Sequence, residues 1–226
     1  MANILIIGAS RGIGLELTKQ YLAAGDSVIA TARAGGADNL ESISDAGLTI
    51  QTMDISDSAS IETAAGEIGE QALDAVIIVA GAVGGGRQSL DDLDLEEWHR
   101  TFDTNTIGPA LAAKAFKSNL AASGNGHLMI LTSQLAASTW PMGGMFIYST
   151  TKAAVSKVGQ ILALDWKADP ITVTLMHPGW VQTDMGGPNA EITAEESAAG
   201  IRSVIANATK EDSGKFYKWN GEIHAW

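Results

Sequence analysis

Short apolar segments alternate with segments of helical periodicity along the chain. The apolar segments predict strands at residues 4–7, 27–32, 48–53, 73–80, 126–132 and 171–177, and a short final strand at 214–219. The helical patterns cover residues 12–24, 58–69, 96–122, 145–167 and 194–206. We expect the third of these helices to break near Asn105.

The strand segments are hydrophobic throughout, as in AVIIVA at residues 75–80, rather than alternating. Continuous apolar strands are typical of a parallel sheet that helices cover on both faces. No linker or internal repeat interrupts the alternation of strands and helices. The pattern therefore predicts one α/β domain spanning residues 1–226, a doubly wound Rossmann fold with a parallel seven-stranded sheet. In such sheets, ligands bind beyond the carboxyl ends of the strands.

The composition favours a soluble protein with an acidic surface. The 26 acidic and 14 basic residues give a formal net charge of −12, which opposes binding to nucleic acid or an anionic membrane. The absence of cysteine excludes disulfides and thiolate catalysis, and the four histidines lack metal-ligand spacing, so we predict no metal site. No apolar segment is long enough to span a bilayer, and the first residues lack a basic secretion signal. We therefore predict a cytoplasmic location.

A glycine-rich turn, GASRGIG at residues 8–14, follows the first strand directly, and a helix begins within it. Gly8, Gly12 and Gly14 allow positive φ angles and a close approach of the backbone to a ligand. The free N–H groups at the start of the helix can then bind a pyrophosphate. This position indicates a dinucleotide site, and a tight turn without a ligand is the alternative.

The segment YSTTK, residues 148–152, places a phenol and an ammonium group on one face of a helix. Reduction of a ketone needs a proton donor beside the oxygen on which negative charge develops. The phenol of Tyr148, with an ordinary pKa of about 10, is about 4 kcal/mol from ionising at pH 7. A Lys152 ammonium about 5 Å away contributes roughly 3 kcal/mol toward the phenolate at an effective dielectric constant of about 20. A structural pair of no chemical consequence is the alternative.

The order and spacing of these motifs resemble the short-chain dehydrogenase/reductase family over nearly the whole chain. Beyond the glycine turn and YSTTK, the matching residues are Asp54, Asn105, Ser133, Pro178, Gly179 and Thr183. Two segments, HPGWVQTDMGGPNA at residues 177–190 and GKFYKWNGEIHAW at residues 214–226, resemble the C-factor-like and sniffer-like carbonyl reductases.

This resemblance implies a role for each matching residue. Tyr148 would be the general acid and base, Lys152 would also bind the ribose of the nicotinamide half, and Ser133 would hydrogen-bond the substrate oxygen. Asn105 would hold a helix irregularity and a water molecule that links Lys152 to solvent. The residues implied in coenzyme binding are Gly8, Ser10, Arg11, Gly12, Ile13, Gly14, Arg33, Asp54, Ile55, Ala80, Gly81, Tyr148, Lys152, Pro178, Gly179, Val181 and Thr183.

The chain departs from the family pattern at two places. Ile78 and Val79 stand where the family usually has two asparagines, and Ile7 stands where a threonine often opens the glycine motif. The hydrogen bonds that those amides make must be replaced or absent. Neither change removes a group that does chemistry.

The end of the second predicted strand indicates the type of nicotinamide coenzyme. An acidic residue there would bind the adenosine ribose and repel a 2′-phosphate. This chain has Arg33 in that region and no acid until Asp38, and Arg11 lies in the glycine turn. Two guanidinium groups that face a phosphate favour NADP(H). NAD(H) stays possible if Arg33 is only a solvated surface residue.

The residues expected around the substrate are mostly apolar or aromatic: Gln134, Leu135, Trp140, Met142, Trp180 and Met185. Such a rim favours a small hydrophobic aldehyde or ketone over a strongly charged one. Packing of Trp140 and Trp180 into the core is the alternative.

The leading prediction is the NADPH-dependent reduction of such a carbonyl compound to an alcohol. The alternatives are a cofactor-binding regulatory protein of the C-factor type and an NAD-dependent alcohol dehydrogenase. Small residues in LAAKAF and TTKAAV permit close contacts of the helices at 104–122 and 145–167 with a second copy. We therefore predict a homodimer or homotetramer.

Overall fold

One parallel sheet forms the centre of the molecule in the computed structural model, which describes all 226 residues, Met1–Trp226. The strands are β1 (Asn3–Ile7), β2 (Ser27–Ala32), β3 (Leu48–Thr52), β4 (Ala75–Ile78), β5 (Gly126–Leu131), β6 (Ile171–His177) and β7 (Phe216–Lys218). All seven are parallel, in the order β3-β2-β1-β4-β5-β6-β7. The predicted Rossmann fold is confirmed, and each predicted strand overlaps an observed one.

Eight α-helices surround the sheet. They are α1 (Gly12–Ala23), α2 (Asp38–Glu41), α3 (Ser58–Ile68), α4 (Leu95–Phe102), α5 (Gly108–Ala115), α6 (Lys117–Ala122), α7 (Phe146–Asp165) and α8 (Ala194–Asn207). Helix α2 is absent from the sequence prediction because four residues are too few to show a helical period. No helix combines the length and the apolar character needed to cross a lipid bilayer.

The helices cover both faces of the sheet, which explains the continuous apolar strands. Successive side chains of a strand point to opposite faces. In β1, Leu5 and Ile7 join a core cluster with α3, α5, α6 and α7, whereas Ile4 and Ile6 join a second cluster with α1, α2 and α8. All four side chains are at most 3% exposed, so both faces of the strand need apolar residues.

The predicted helix at 96–122 is divided into three α-helices. A π-helical turn, Asp103–Ile107, separates α4 from α5 and contains Asn105. Pro109 has no N–H group to donate to the carbonyl of Asn105. The N–H of Gly108 donates to the carbonyl of Asp103, five residues earlier, which is the π-helical pattern. The expected break near Asn105 is therefore present.

The strand order reverses between β1 and β4, and their carboxyl ends lie unusually close together. Gly8, directly after β1, has a φ of 90°. A methyl group built on Gly8 would lie 2.7 Å from the Cα and the N atoms of Ala80, directly after β4. Only glycine permits this approach, and crevices at such reversals are the usual ligand sites of doubly wound sheets.

Substitution of Gly8 tests this close approach. We expect Gly8→Ala to lower the free energy of unfolding by about 3 kcal/mol, because the methyl group meets backbone atoms and the residue keeps a positive φ. Gly66→Ala is the matched control, since Gly66 lies within α3 and no atom lies within 4 Å of the corresponding methyl position. That control is expected to gain about 0.5–1 kcal/mol. Urea denaturation measures both changes, and wild-type stability of Gly8→Ala would contradict the steric explanation.

Candidate active site

A cleft of about 890 Å³ opens at the carboxyl edge of the sheet, above the reversal between β1 and β4. It passes from Arg33 and Asn39 at one end, across Gly8, to Tyr148 and Lys152. The predicted coenzyme residues that line it are Gly8, Ser10, Arg11, Gly12, Ile13, Arg33, Asp54, Ile55, Ala80, Gly81, Tyr148, Lys152, Pro178 and Thr183. Residues from six distant segments of the sequence therefore meet in one cavity.

The glycine turn is held in place from both sides. The N–H of Gly8 donates to Thr31 Oγ1 at 3.0 Å, and the N–H of Ala9 donates to the Thr31 carbonyl at 2.8 Å, which fastens the turn to β2. Gly14 does not line the cleft. A methyl group there would lie 2.2 Å from the Gly8 carbonyl oxygen, so this glycine lets α1 start directly beneath the turn.

Lys152 is buried at the base of the cleft. Its Nζ donates to the carbonyl of Leu131 at 2.9 Å and lies 5.9 Å from the centre of the Tyr148 ring. A methyl group built on Gly81 would lie 3.2 Å from this Nζ, so Gly81 leaves space for the ammonium group. No carboxylate forms an ion pair with Lys152.

Burial shifts the pKa values of both groups. Desolvation lowers the pKa of Lys152 from 10.5 to about 8, because the charged form loses its hydration. Desolvation also raises the pKa of the Tyr148 phenol above its ordinary value, and the neighbouring Ser133 hydroxyl opposes this rise. The sequence argument expects Lys152 to lower the Tyr148 pKa, whereas in the structure desolvation of the phenol is the largest effect and raises it.

Ser133 lies two residues after the end of β5, is buried and does not line the cleft. Its Oγ accepts a hydrogen bond from the N–H of Leu135 at 3.2 Å, so the hydroxyl caps a 3₁₀ turn, Gln134–Ala136. The preceding Thr132 donates to the Lys152 carbonyl at 3.0 Å. The end of β5 is therefore tied to the helix that carries Tyr148 and Lys152.

The side chain of Asn105 is completely buried and orders the backbone after β4. Its Oδ1 accepts from the N–H of Ala82 and its Nδ2 donates to the carbonyl of the same residue, both at 2.8 Å. Nδ2 also donates to Thr151 Oγ1 at 3.0 Å, which joins the π-helical turn to α7. Asn105 thus steadies the loop that passes beside Lys152.

The two family asparagines are replaced by apolar packing. Ile78 is 1% exposed within the larger core cluster, and Val79 packs against the cluster on the opposite face. The N–H groups of Val79 and Ala80 both donate to the carbonyl of Ile7 at 2.9 Å. Backbone hydrogen bonds therefore join β1 to β4 here without side-chain amides.

The segment after β6 approaches the glycine turn from the other side of the cleft. A methyl group on Gly12 would lie 3.1 Å from Thr183 Cγ2. Gly179 and Val181 do not line the cleft: Gly179, with a φ of 91°, leaves space for Ile192 and Trp219, and buried Val181 forms a bridge with Ile192. These two residues pack the segment against Ile192 and Trp219 on the side away from the cleft.

The two arginines predicted at the coenzyme phosphate differ in their partners. Arg11 Nη1 lies 3.2 Å from Asp184 Oδ2 at the exposed rim. Arg33 is exposed, lines the cleft and forms no ion pair. Asp38, the nearest acidic residue after β2, does not line the cleft. Arg33 is therefore the cation that is available at this end.

Most of the residues predicted at the substrate rim lie outside this cleft. Of that set, Met185 lines it, whereas Gln134, Leu135, Trp140, Met142 and Trp180 do not. The indole N–H of Trp180 donates to the Gly186 carbonyl at 2.8 Å, and its ring packs on Gly186. Trp180 therefore closes a local turn, and contact of this set with a substrate stays a prediction.

Several polar side chains line the cleft without having been predicted. They are Thr31, Asn39, Ser56, Glu97, Thr104, Thr132, Gln182 and Asp184. Thr31 and Thr132 lie at the carboxyl ends of β2 and β5. The rule that ligands bind at the carboxyl ends of parallel strands would therefore have predicted both residues. Gln182 and Asp184 belong to the segment at 177–190, whereas the remaining residues belong to no motif and reach the cleft only through the folding of distant elements.

The residues present fit a dinucleotide. The volume of the cleft lies within the range of about 300–1,000 Å³ that ligand sites commonly have. A side chain at Gly8 would collide with Ala80, one at Gly12 would crowd Thr183, and α1 begins there with no acidic residue in its first turn. Such a helix start favours an anionic phosphate.

The chain matches the sequence profile of the short chain dehydrogenase family over residues 2–218. The 1-hydroxy-2-glutathionyl-2-methyl-3-butene dehydrogenase of Rhodococcus sp. (strain AD45) is 32% identical, and the alignment covers the full length of both chains. The C-signal protein of Myxococcus xanthus is 34% identical over 67% of this chain and 92% of its own length.

Two solved structures share the whole fold. The NADPH-bound carbonyl reductase from chicken fatty liver superposes with a TM-score of 0.91 at 29% identity, over all of this chain and 99% of that chain. The carbonyl reductase Sniffer of D. melanogaster gives a TM-score of 0.92 at 26% identity over the full length of both chains. These likenesses confirm the predicted resemblance to the C-factor-like and sniffer-like proteins. Because the family profile covers nearly all of its residues, the chain belongs to the short-chain dehydrogenase/reductase family of oxidoreductases.

Proposed function

We propose that this oxidoreductase reduces a small hydrophobic aldehyde or ketone to an alcohol with NADPH. The observation that carries the proposal is that Tyr148 and buried Lys152 line the same cleft as the glycine turn. The carbonyl reductases of similar fold support the reaction, as does the Rhodococcus relative, which by its name is a dehydrogenase of a hydroxy compound. Oxidation and reduction of such a group are the two directions of one reaction.

A bound nicotinamide would supply hydride to the carbonyl carbon. Tyr148 holds the proton that the carbonyl oxygen needs. The raised pKa of the phenol keeps this proton in place at neutral pH, so Tyr148 is ready to act as a general acid. Ser133, adjacent to the phenol, is the second donor proposed for the same oxygen.

Lys152 holds a positive charge beneath the phenol. Once the phenol has released its proton, the ammonium group stabilises the phenolate. The Nζ has hydrogen-bonding capacity left beyond the Leu131 carbonyl, because an ammonium group has three donors. Ribose hydroxyls of the coenzyme are the proposed acceptors. Asn105 would keep the adjacent loop in place through Ala82.

Arg33 supports NADP(H) as the coenzyme. It is a cation without an ion-pair partner at the end of the cleft beyond β2, and Asp38, the first acidic residue after β2 in the sequence, does not line the cleft. Arg11 is proposed as the weaker contact, because Asp184 already binds its guanidinium group. The NADPH-bound carbonyl reductase from chicken supports the same choice.

A homodimer or homotetramer stays a prediction. Ile161 and Leu164 of α7 are exposed, at 45% and 72%, although large apolar side chains gain from burial. Contact with a second copy through α7 would cover both side chains.

Tyr148→Phe tests the proton donor. With NADPH and a panel of aldehydes, diketones and quinones, we expect turnover to fall by about 10²–10⁴-fold, because a general acid is lost. NADPH binding should change little. Tyr217→Phe removes a hydroxyl that hydrogen-bonds Asp212 and is the matched control. NADPH binding by the wild-type protein without turnover of any carbonyl would instead support the C-factor-type regulatory alternative.

The pKa of Lys152 predicts a pH dependence of carbonyl reduction. Its value of about 8 lies below the ordinary 10.5, so the ammonium charge is present below pH 8 and is lost as the pH rises through 8. The Tyr148 phenol keeps its proton over this range because its pKa is raised. We expect kcat/KM for NADPH to be constant below about pH 7.5 and to fall about tenfold per pH unit above pH 8. This ratio reports the ionisation of groups in the free enzyme.

Rates measured from pH 6 to pH 10 check this profile. Lys157→Met, which removes an exposed amine from the same helix, should keep the wild-type profile. A constant kcat/KM up to pH 10 would contradict the role of the Lys152 charge.

Arg33→Ala tests the coenzyme preference. We expect the NADPH Kd to rise about 10- to 100-fold, because hydrogen bonds between charged groups contribute about 1.5–3 kcal/mol. The NADH Kd should stay within about twofold of the wild-type value, since NADH has no 2′-phosphate. Lys19→Ala removes an exposed charge from α1 outside the cleft and should change neither value. Fluorescence titration measures both constants, and equal NADPH binding by wild type and Arg33→Ala would favour the NAD-dependent alternative.

A further inference from the structure

Helix α7 carries Tyr148 in its first turn. The residue that precedes the helix does not cap it with its side chain. The residue before the helix, Met145, is the only non-glycine residue with a positive φ, 50°, and its side chain caps nothing. The first N–H groups of a helix have no partner within the helix and need acceptors from elsewhere. In α7 these groups belong to Phe146, Ile147 and Tyr148.

A single distant residue, Gln88, accepts from all three groups. Its backbone carbonyl accepts from the N–H of Phe146 at 3.1 Å. Its side-chain Oε1 accepts from the N–H groups of Ile147 at 2.9 Å and of Tyr148 at 3.3 Å. Gln88 precedes Tyr148 by 60 residues in the sequence, so only the tertiary structure supplies this cap.

The other end of the same amide binds a glycine loop in the cleft wall. Nε2 of Gln88 lies 2.7, 3.0 and 3.2 Å from the carbonyl oxygens of Val83, Gly84 and Gly85, which share its two N–H groups. Three carbonyls at one end and two N–H groups at the other fix the orientation of the amide. All three loop residues line the cleft.

The loop also packs directly on α7. Gly84 has a φ of 90°, and a methyl group there would lie 2.5 Å from Ile147 Cγ2. Loop and helix are thus in contact as well as bridged by Gln88.

We propose that Gln88 is a positioning residue that sets Tyr148 in the site by capping the first turn of α7, and that it ties the coenzyme-cleft loop at 83–85 to this turn. The proposal rests on the proposed function of Tyr148. The loop that faces the coenzyme cleft and the turn that carries the proton donor then move as one unit. A ligand that orders the loop also orders the phenol.

Two substitutions separate the halves of the bridge. Gln88→Met has a similar size and removes both the acceptor and the donor. Gln88→Glu keeps oxygen atoms that accept from Ile147 and Tyr148 but has no N–H for the loop carbonyls. For Gln88→Met we expect kcat to fall about tenfold or more, since displacement of a catalytic group by about 1 Å can cost as much as 100-fold. Gln88→Glu should recover kcat to within about threefold of wild type while the KM for NADPH rises about tenfold, because only the loop is released.

Amide hydrogen exchange measured by NMR provides a readout that does not depend on activity. In Gln88→Met the N–H groups of Ile147 and Tyr148 should exchange at least about tenfold faster than in wild type, because they lose their acceptor. The N–H of Ser149 donates to the Met145 carbonyl at 2.7 Å and serves as the internal control.

Asn119→Leu is the control for loss of a side-chain amide away from the site. Nδ2 of Asn119 donates to the carbonyls of Gly69 and Gln71 at 2.7 and 2.8 Å, and its loss should lower stability while kcat is unchanged. The proposal is overturned if Gln88→Met keeps kcat within twofold of wild type, if Gln88→Glu is as slow as Gln88→Met, or if exchange at Ile147 and Tyr148 is unchanged. Absence of carbonyl turnover in the wild-type protein would overturn the proposed function instead, and hydrogen exchange would still decide whether Gln88 caps α7.

Discussion

The close approach of the backbone at the ends of β1 and β4 is the constraint on which the cleft depends. Gly8 and Ala80 meet where any side chain on Gly8 would collide, and two N–H groups converge on the carbonyl of Ile7. The connections after these strands leave toward opposite faces, which opens the crevice. The glycine turn, the Ala80–Gly81 backbone and the start of α1 all take their positions from this contact.

Backbone carbonyls and N–H groups, rather than ion pairs, hold the chemical groups of the site. Lys152 donates to the Leu131 carbonyl, Asn105 binds both backbone groups of Ala82, and Gln88 accepts from the first turn of α7. A buried ammonium group without a carboxylate partner is electrostatically unsatisfied, which is why its pKa falls. Its charge therefore remains available to a ligand in the cleft.

The replacement of two family asparagines shows how the centre of the sheet tolerates a change in chemistry. Ile78 and Val79 enter opposite core clusters, so the amide hydrogen bonds are exchanged for apolar burial. The polar connections that the loop after β4 still needs come from Asn105 on one side and from Gln88 further along. The stability of the sheet and the order of the cleft are thus supplied by different residues.

Apolar periodicity and a four-residue helical spacing are local properties, so the amino-acid sequence was enough to predict most of the elements, the parallel sheet and the Tyr148–Lys152 pair. The same holds for the glycine turn, whose position after a strand is visible in the chain. The folded chain was needed to show that Gln88 caps α7, that Thr31 binds the turn, and that Trp180 packs on Gly186 rather than lining the cleft. It also reversed the expected pKa shift of Tyr148. These features depend on contacts between distant residues and on burial, which no local pattern contains.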